Sequence, residues 1–343
     1  MKPYKNEPAL LVGMTLLLIV SFIILNSIAN YLFPQYFLYI VLALIAFWIF
    51  SHIDFDILSI FHWHLYFLCI FLLLLPIGIG QATRGVVRWI QIGSFTLQTT
   101  EIVRPFLILF FANFFLEKKI TFKRLVFASI LAFIPLILIL IQPSLGVTVL
   151  TAVGFLGVFL TLNYDKRKLI LGGLLGIIAM PVLWVVLEDY QKARILGIWG
   201  EGYNRVQSMI AVGSGKIFGR GLGEGIQTQL AFLPERHTDF IYASIAEEFG
   251  FLGTSIITLI IFFILYRLVV LIEKSKSVRS RAFVSGIFLS MFLQVFVHMG
   301  MNMGIMPITG LPLPLVSAGG SSLIATMITL GIVINTKRSE SMS

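Results

Sequence analysis

Residues 232–250 read FLPERHTDFIYASIAEEFG. A polar run ends here and a strongly apolar one begins at the Asp239-Phe240-Ile241-Tyr242 step. Glu235, Arg236, His237 and Asp239 gather at that edge, and Glu247 and Glu248 follow inside it. Carboxylates at or below the edge of so apolar a segment are expensive. Charged groups in a hydrocarbon layer face a partner or a water-filled cavity, which makes them functional candidates. Two questions follow from this step: which face of a membrane it lies on, and what it acts on.

The rest of the chain is equally apolar. Of 343 residues, 58% are hydrophobic and 12% charged, with a mean hydropathy of +0.97; a soluble domain carries roughly a quarter charged residues. Runs of about 18 to 25 apolar residues recur along nearly the whole length, the pattern of transmembrane helices. A barrel would show short alternating segments instead. The expected fold is therefore an all-α polytopic membrane protein, one integral membrane domain over residues 1–343. The net charge of +9 reflects Lys and Arg clustered in short loops as topology signals and does not call for nucleic acid. Cys69 stands alone, so an internal disulfide framework or a multi-cysteine metal site is excluded. Residues 1–7 are short and polar, and the first apolar run reads as a retained span.

Ten spans are expected, at about 8–29, 35–51, 60–78, 99–116, 125–141, 147–162, 169–187, 239–270, 282–299 and 315–334. Basic clusters at Lys118, Lys119, Lys123 and Arg124, at Asp165-Lys166-Arg167-Lys168, at Lys274, Lys276, Arg279 and Arg281, and at Lys337 and Arg338 fall on one side of this count. That side, with both termini, is cytoplasmic by the positive-inside rule. The loops at about 80–98, 188–238 and 300–314 then face outward and form the active-site face. Uneven loop lengths give no inverted repeat.

Two glycine runs, Gly213-Ser214-Gly215-Lys216 and Gly219 through Gly225, lack the spacing of nucleotide-binding loops. What they offer is a mobile turn, or backbone N–H groups able to approach a phosphate. Asp239, Ala243 and Glu247 lie at i, i+4 and i+8 and share one helix face, a second carboxylate backing the first along a groove lined by Ala243 and Ala246. Thr238 or Asp239 also suits the helix cap. A base at this edge takes a proton from a hydroxyl held at the membrane surface. Arg84 and Arg88 form a cationic outer rim beside Trp89, itself a natural interfacial anchor. Glu101 and Arg104 neutralise one another at i, i+3. Pro307, Pro312, Pro314, Gly310, Gly319 and Gly320 make residues 302–322 a broken segment, tolerated only where protein or a cavity covers it. Lys192, Arg194, Arg205, Lys216, Arg220 and Arg236 make the largest outer loop basic against the topology bias, which points to an anionic ligand. His52, His62, His64 and His298 share no ligand spacing with a carboxylate and read as structural.

Six stretches, in order, resemble the SEDS family, the RodA, FtsW and SpoVE proteins of bacterial shape, division and sporulation. They are RGVVRWIQIG (84–93), QTTEIVRP (98–105), QPSLGVTVL (142–150), GYNRVQSMIAVGSGKIFGRGLGEG (202–225), LPERHTDFIYASIAEEFG (233–250) and GIMPITGLPLPLVSAGGSSLI (304–324). LPERHTDF and LPLPLVS look more like RodA than FtsW. The chain departs from the family where QTTEIVR (98–104) stands for Q-P-S-E-x-x-K, at Ser144, usually an acid, and at Ala318, usually an aromatic.

The resemblance implies an inverting peptidoglycan glycosyltransferase in the bacterial plasma membrane. It polymerises lipid II, a disaccharide-pentapeptide on undecaprenyl diphosphate, and partners a class B penicillin-binding protein and other elongation or division proteins. Asp239 matches the family's proposed catalytic acid and Trp89 a functionally important tryptophan. Substrate contacts are then expected from Arg84, Arg88, Trp89, Arg205, Lys216, Arg220, Glu235, Arg236, His237 and Thr238. Support is expected from Glu101, Arg104, Glu247, Glu248, Pro312, Ser317, Gly319 and Gly320. A Mg or Mn ion would suit the diphosphate, but no ligand cluster demands one. A lipid II flippase would need polar groups continuing to the cytoplasmic ends of the spans, whereas here they gather outward. A non-catalytic scaffold would leave the Asp239–Glu247 face without purpose.

Overall fold

In a computed structural model, residues 7–79, 81–83, 86–93, 95–117, 121–162, 192 and 202–342 are described. Apolar runs become helices because lipid offers no partner for backbone N–H and C=O groups. They are α1 (Pro8–Ile28), α2 (Phe33–His52), α3 (Phe55–Ile60), α4 (His62–Ile79), α5 (Thr99–Phe114), α6 (Phe122–Ile141) and α7 (Leu145–Leu160). After the undescribed residues come α8 (Tyr203–Ser214), α9 (Ile226–Gln229), α10 (Ile241–Lys274), α11 (Val278–Asn302) and α12 (Gly320–Met342). Proline sits in the first turn of α1 and α2, where its missing N–H costs nothing. Thr121 and Ser277 cap α6 and α11 by accepting the N–H of Arg124 and of Ser280. The expected seventh span and the clusters at Lys118–Lys119 and Asp165–Lys168 lie outside the described residues.

Six of the described helices are long and apolar enough to cross a membrane, while His62–Gly78 and Leu145–Leu160 are shorter. The 18-residue core of α12 is 83% buried and that of α2 only 17%, so α12 is central and α2 peripheral. α12 packs along α2, and α11 along α7. Glycine permits the second contact: a Cβ on Gly157 would lie 2.7 Å from the Ser285 carbonyl oxygen, and one on Gly286 2.8 Å from that of Gly154. Trp48, Phe37, Phe67, Phe133 and Ile256 are exposed, as lipid-facing side chains of a multi-pass membrane protein are.

Helix α1 serves as a ruler. Its 21 residues span about 30 Å, the thickness of a hydrocarbon core. At its start the buried Glu7 carboxylate pairs with Arg267 of α10 and, at 2.6 Å, with Lys337 of α12. At its end the Ser27 hydroxyl donates to Glu248 at 2.8 Å and the Ile28 carbonyl accepts from Arg236 at 3.1 Å. Glu7 and Lys337 therefore share one face of the bundle, and the 232–250 stretch begins at the other.

Two expectations are corrected. The loop at 80–98 carries a three-stranded antiparallel sheet, β1 (Gln81–Thr83), β2 (Val86–Ile92) and β3 (Phe95–Leu97), in the order β1-β2-β3. Trp89 pairs with Gln81 and Ile90 with Leu97, in a segment, Val-Val-Arg-Trp-Ile-Gln-Ile, rich in the β-branched and aromatic residues that favour strands. Gly93, at φ +62°, supplies the turn. The tenth span begins at Gly320, since residues 303–319 are non-helical through the prolines expected to break it.

Candidate active site

The site is built on the turn from Pro234 to Phe240. Glu235 takes a left-handed φ of +52°, unusual for a side chain with a Cβ. Its carbonyl accepts the N–H groups of Thr238 (3.1 Å) and Phe240 (3.2 Å). The Thr238 hydroxyl donates to the Glu235 carboxylate at 3.2 Å, and His237 Nε2 lies 3.9 Å from that carboxylate. The next three carbonyls are each held by a different donor. His237 O accepts Ala318 N–H at 2.9 Å, Thr238 O accepts the Ser317 hydroxyl at 2.8 Å, and Asp239 O accepts Asn302 Nδ2 at 3.0 Å. The half-buried Asp239 is thus fixed by contacts from two separate parts of the chain, beside the positive end of α10.

The broken segment is as covered as the bilayer demands. Ser317 also accepts Leu313 N–H at 2.8 Å. Two polar groups of α11 reach across to it, Gln294 Nε2 donating to Pro312 O at 2.8 Å and His298 Nδ1 to Leu311 O at 2.7 Å. Gly319 packs on Pro312, and Gly320 clears the Tyr39 ring, which a Cβ would meet at 2.3 Å. One residue on, the Ser321 hydroxyl accepts Gln98 N–H at 2.8 Å, and Tyr39 bonds to Thr96. The sheet that carries the half-buried Trp89 is thereby tied to the same face as Ser317, Thr238 and Asp239. Glu101 and Arg104 beneath it form the expected pair, at 3.3 Å and almost wholly buried.

The helix begins at Ile241 rather than Asp239. Phe240 occupies the cap position without a side-chain bond. Asn302 Oδ1 accepts the Ala243 N–H at 2.9 Å instead. The expected groove along Ala243 and Ala246 is filled. Ala243 packs with Ala211, Leu233 and Phe240, and Gly215 crosses so closely that its Cβ would lie 1.8 Å from the Ala246 carbonyl oxygen.

Glu247 does not back Asp239; it docks the loop at 214–229. Its fully buried carboxylate accepts the N–H groups of Gln227 (2.9 Å) and Thr228 (3.0 Å), with Arg220 Nε 3.9 Å away. Glu248 Oε1 accepts from Ser27, from Gln229 Nε2 at 3.1 Å and from Gly223 N–H at 3.3 Å. Both buried carboxylates have donors, which burial of such charge requires.

The glycine run is docked and does not offer a phosphate nest. α10 breaks at Gly250 (φ +66°), which releases backbone groups on either side. Arg220 N–H binds Glu247 O at 2.9 Å, Gly221 N–H binds Glu248 O at 3.1 Å, Lys216 O accepts Phe251 N–H at 2.8 Å, and Ile217 O accepts Leu252 N–H at 3.1 Å. The Gly219 N–H binds Gly215 O at 2.8 Å. The N–H groups of residues 219–221 are therefore engaged within the protein.

The other expected substrate contacts are dispersed. Lys216 and Arg220 are exposed on this docked loop. Arg205 holds the Gly304 carbonyl at 2.7 Å, and Arg236 the Ile28 carbonyl. Arg84 and Arg194 lie outside the described residues, as does the Arg88 side chain. Asn302 was missed by sequence reasoning. Its signal was the stripe Gln294, His298, Asn302 at four-residue spacing, three fully buried polar side chains on one face of an apolar helix.

Comparison with known proteins agrees with this architecture. A family model described as cell cycle protein, FtsW/RodA/SpoVE, matches residues 8–342. Peptidoglycan glycosyltransferase MrdB of Escherichia coli strain K12 is 36% identical over 283 residues, covering 79% of this chain and 76% of that protein. A probable peptidoglycan glycosyltransferase FtsW of Francisella salina is 36% identical over 273 residues, 75% of this chain and 67% of that one. A chain from a peptidoglycan synthase complex solved for the coordination of polymerisation and crosslinking superposes with a TM-score of 0.84 at 27% identity, covering 97% of this chain and 98% of that one. The rod shape determining protein RodA of Thermus thermophilus superposes with a TM-score of 0.74 at 26% identity, over 96% and 95% of the two chains. This chain belongs to the FtsW/RodA/SpoVE family of cell cycle proteins.

Proposed function

We propose that the chain is a peptidoglycan glycosyltransferase that polymerises lipid II at the outer face of the plasma membrane, with Asp239 as its general base and both termini cytoplasmic. The relatives' names support the activity. The observation that carries the assignment to this site is the clasp on His237, Thr238 and Asp239, whose carbonyls are held by Ala318, Ser317 and Asn302. A base works only when fixed within reach of the proton it takes.

An α-linked diphosphate donor becomes a β-linked glycan in one inverting displacement. The acceptor 4-hydroxyl attacks the donor C1, the new C1–O4 bond forms as the C1–diphosphate bond breaks, and the hydroxyl proton passes to Asp239. Cationic groups stabilise the departing diphosphate; Arg84, Arg88, Arg205, Lys216 and Arg220 are the candidates, Lys216 and Arg220 being the exposed ones on the docked loop. Trp89 lines the same face. A class B penicillin-binding protein is the partner that crosslinks the product. The peptidoglycan synthase complex among the structural neighbours supports it.

Purified protein with lipid II, with and without such a partner, tests the reading. Wild type should yield long glycan and Asp239→Asn none, while the variant stays folded and partner-bound. Equal activity of the variant would remove the base assignment, and no polymer from either would favour lipid II transport or scaffolding. A chelator arm tests the Mg or Mn expectation separately.

A further inference from the structure

The loop ahead of the Asp239 turn is built inside out. A loop that faces water turns its large apolar side chains toward the protein. In residues 215–232 the buried positions are Gly215, Gly225 and Thr228. Ile217, Phe218, Leu222, Ile226, Leu230 and Phe232 are all exposed instead, Phe218 at 80%. Lys216, Arg220, Glu224 and Gln229 are exposed among them. An apolar set of this size on a surface marks an interaction site.

The main chain of the same segment is prepared for a medium without water. Irregular backbone is tolerated at membrane depth only where protein satisfies it. The carbonyls of Lys216 and Ile217 accept from Phe251 and Leu252, and the N–H groups of Arg220 and Gly221 bind Glu247 O and Glu248 O. Farther on, the Gly223 N–H goes to the Glu248 carboxylate, and those of Gln227 and Thr228 go to Glu247. The polar groups of the backbone are thus turned into α10 while the apolar side chains stay outside.

Helix α1 sets the height of this loop. Its 21 residues match a hydrocarbon core, and Ser27, next to its last residue, binds Glu248 at 2.8 Å. Two residues on, a Cβ on Gly250 would lie 2.6 Å from the Phe218 carbonyl carbon. Phe218 therefore stands level with the end of α1, where hydrocarbon gives way to headgroups. Lys216 and Arg220 flank it, and such side chains lay their stems along apolar surface and keep the charge at the phosphates. Glu224 is the one acid in residues 215–232. A protein partner would require neither this height nor a sealed backbone.

We propose that residues 216–232 form a foot that rests in the lipid leaflet on the Asp239 side of the membrane. Phe218 and Leu222 enter the acyl region, and Lys216 and Arg220 meet the phosphate groups. The segment leads directly into the turn from Pro234 to Phe240, so the foot fixes the height of that turn above the leaflet. The assignment does not depend on the enzymatic activity of the chain.

The one cysteine, Cys69, is buried, so single nitroxide labels can be placed in a Cys69→Ala chain. Phe218→Cys and Leu222→Cys are labelled, with Leu259→Cys, exposed within α10, as the lipid reference and free label in buffer as the water reference. In nanodiscs of phosphatidylethanolamine and phosphatidylglycerol, without a partner, collisions with oxygen and with a polar nickel chelate are measured. At both loop positions chelate collisions should fall about tenfold below those of free label, because a polar complex is excluded from hydrocarbon. Oxygen collisions should match those at Leu259. Chelate collisions near those of free label overturn the proposal, and shielding that then appears on adding a class B penicillin-binding protein makes the patch a protein-docking face. Low collisions with both reagents also overturn it, since the chain itself then covers the patch. A Phe218→Trp chain that keeps Cys69 repeats the test without a label. Its added emission should be quenched by acyl-brominated lipid and not by aqueous iodide, and the reverse overturns the proposal.

Discussion

Gly219→Ala should undock the 214–229 loop without unfolding the helix bundle. Gly219 has a φ of +84°, and an added Cβ would lie 2.1 Å from the Glu248 carbonyl oxygen and 2.7 Å from Gly250 N. Those neighbours are backbone, so no rotamer change relieves the clash. The left-handed conformation alone costs alanine about 1–2 kcal/mol. Relieving the overlap separates the loop from the break in α10 and loses four hydrogen bonds, from Arg220 and Gly221 N–H to Glu247 and Glu248 O and from Phe251 and Leu252 N–H to Lys216 and Ile217 O. At about 1 kcal/mol each, they sum to about 4 kcal/mol, or roughly a thousandfold in the docking equilibrium. Hydrogen exchange in nanodiscs reads this directly. Peptides over 216–223 and 247–254 should lose protection by about that factor, while those within α11 keep theirs. Gly213→Ala is the matched control, since a Cβ there meets nothing within 4 Å. Wild-type exchange at Phe251 and Leu252 in Gly219→Ala would refute the docked-loop account.

Two further outcomes follow from single contacts. Ser317→Ala removes the donor to Thr238 O and the acceptor of Leu313 N–H, so it should cost about 1–3 kcal/mol and slow polymerisation. Ser317→Thr, which keeps the hydroxyl, should restore most of the rate, and equal rates for the two variants would sink this role. At the other face, burial pushes the Glu7 carboxyl up, but hydrogen bonds from Lys337 and Arg267 outweigh it and hold it below its ordinary value of 4.5. Such a group contributes stability that is full above 4.5 and is lost as pH falls through the depressed folded value. Thermal unfolding of detergent-solubilised protein against pH should show this acid loss, and Glu7→Gln should flatten it.

What could be read ahead of the structure was what the bilayer imposes locally. Apolar runs must be helical in lipid, so α1, α2, α6, α10 and α11 were legible from composition. So was the interruption at 303–319, because Pro312, Pro314 and Gly319 forbid regular helix. The Glu101–Arg104 pair was legible because i, i+3 spacing on a helix brings the two together. The sheet around Trp89 was missed because a strand of seven residues carries little signal beside runs of twenty apolar ones.

The errors near Asp239 share a different cause. Reading from Asp239 forward, the chain offers a cap and two carboxylates on one face, and that local pattern predicts a continuous acidic groove. Contacts distant in sequence decide otherwise. Asn302, 63 positions from Asp239, takes over the cap. The break at Gly250 exposes backbone groups that the 216–221 loop satisfies, and that loop brings α9, whose first amides then claim Glu247. Three carboxylates that look alike in FIYASIAEEFG and the Asp before it therefore end in different roles: Glu247 and Glu248 are committed to buried N–H and O–H donors, and Asp239 is held through its backbone on a turn at the membrane face. Those placements are written in residues 214–229 and 302–318 rather than in the stretch that contains the three carboxylates.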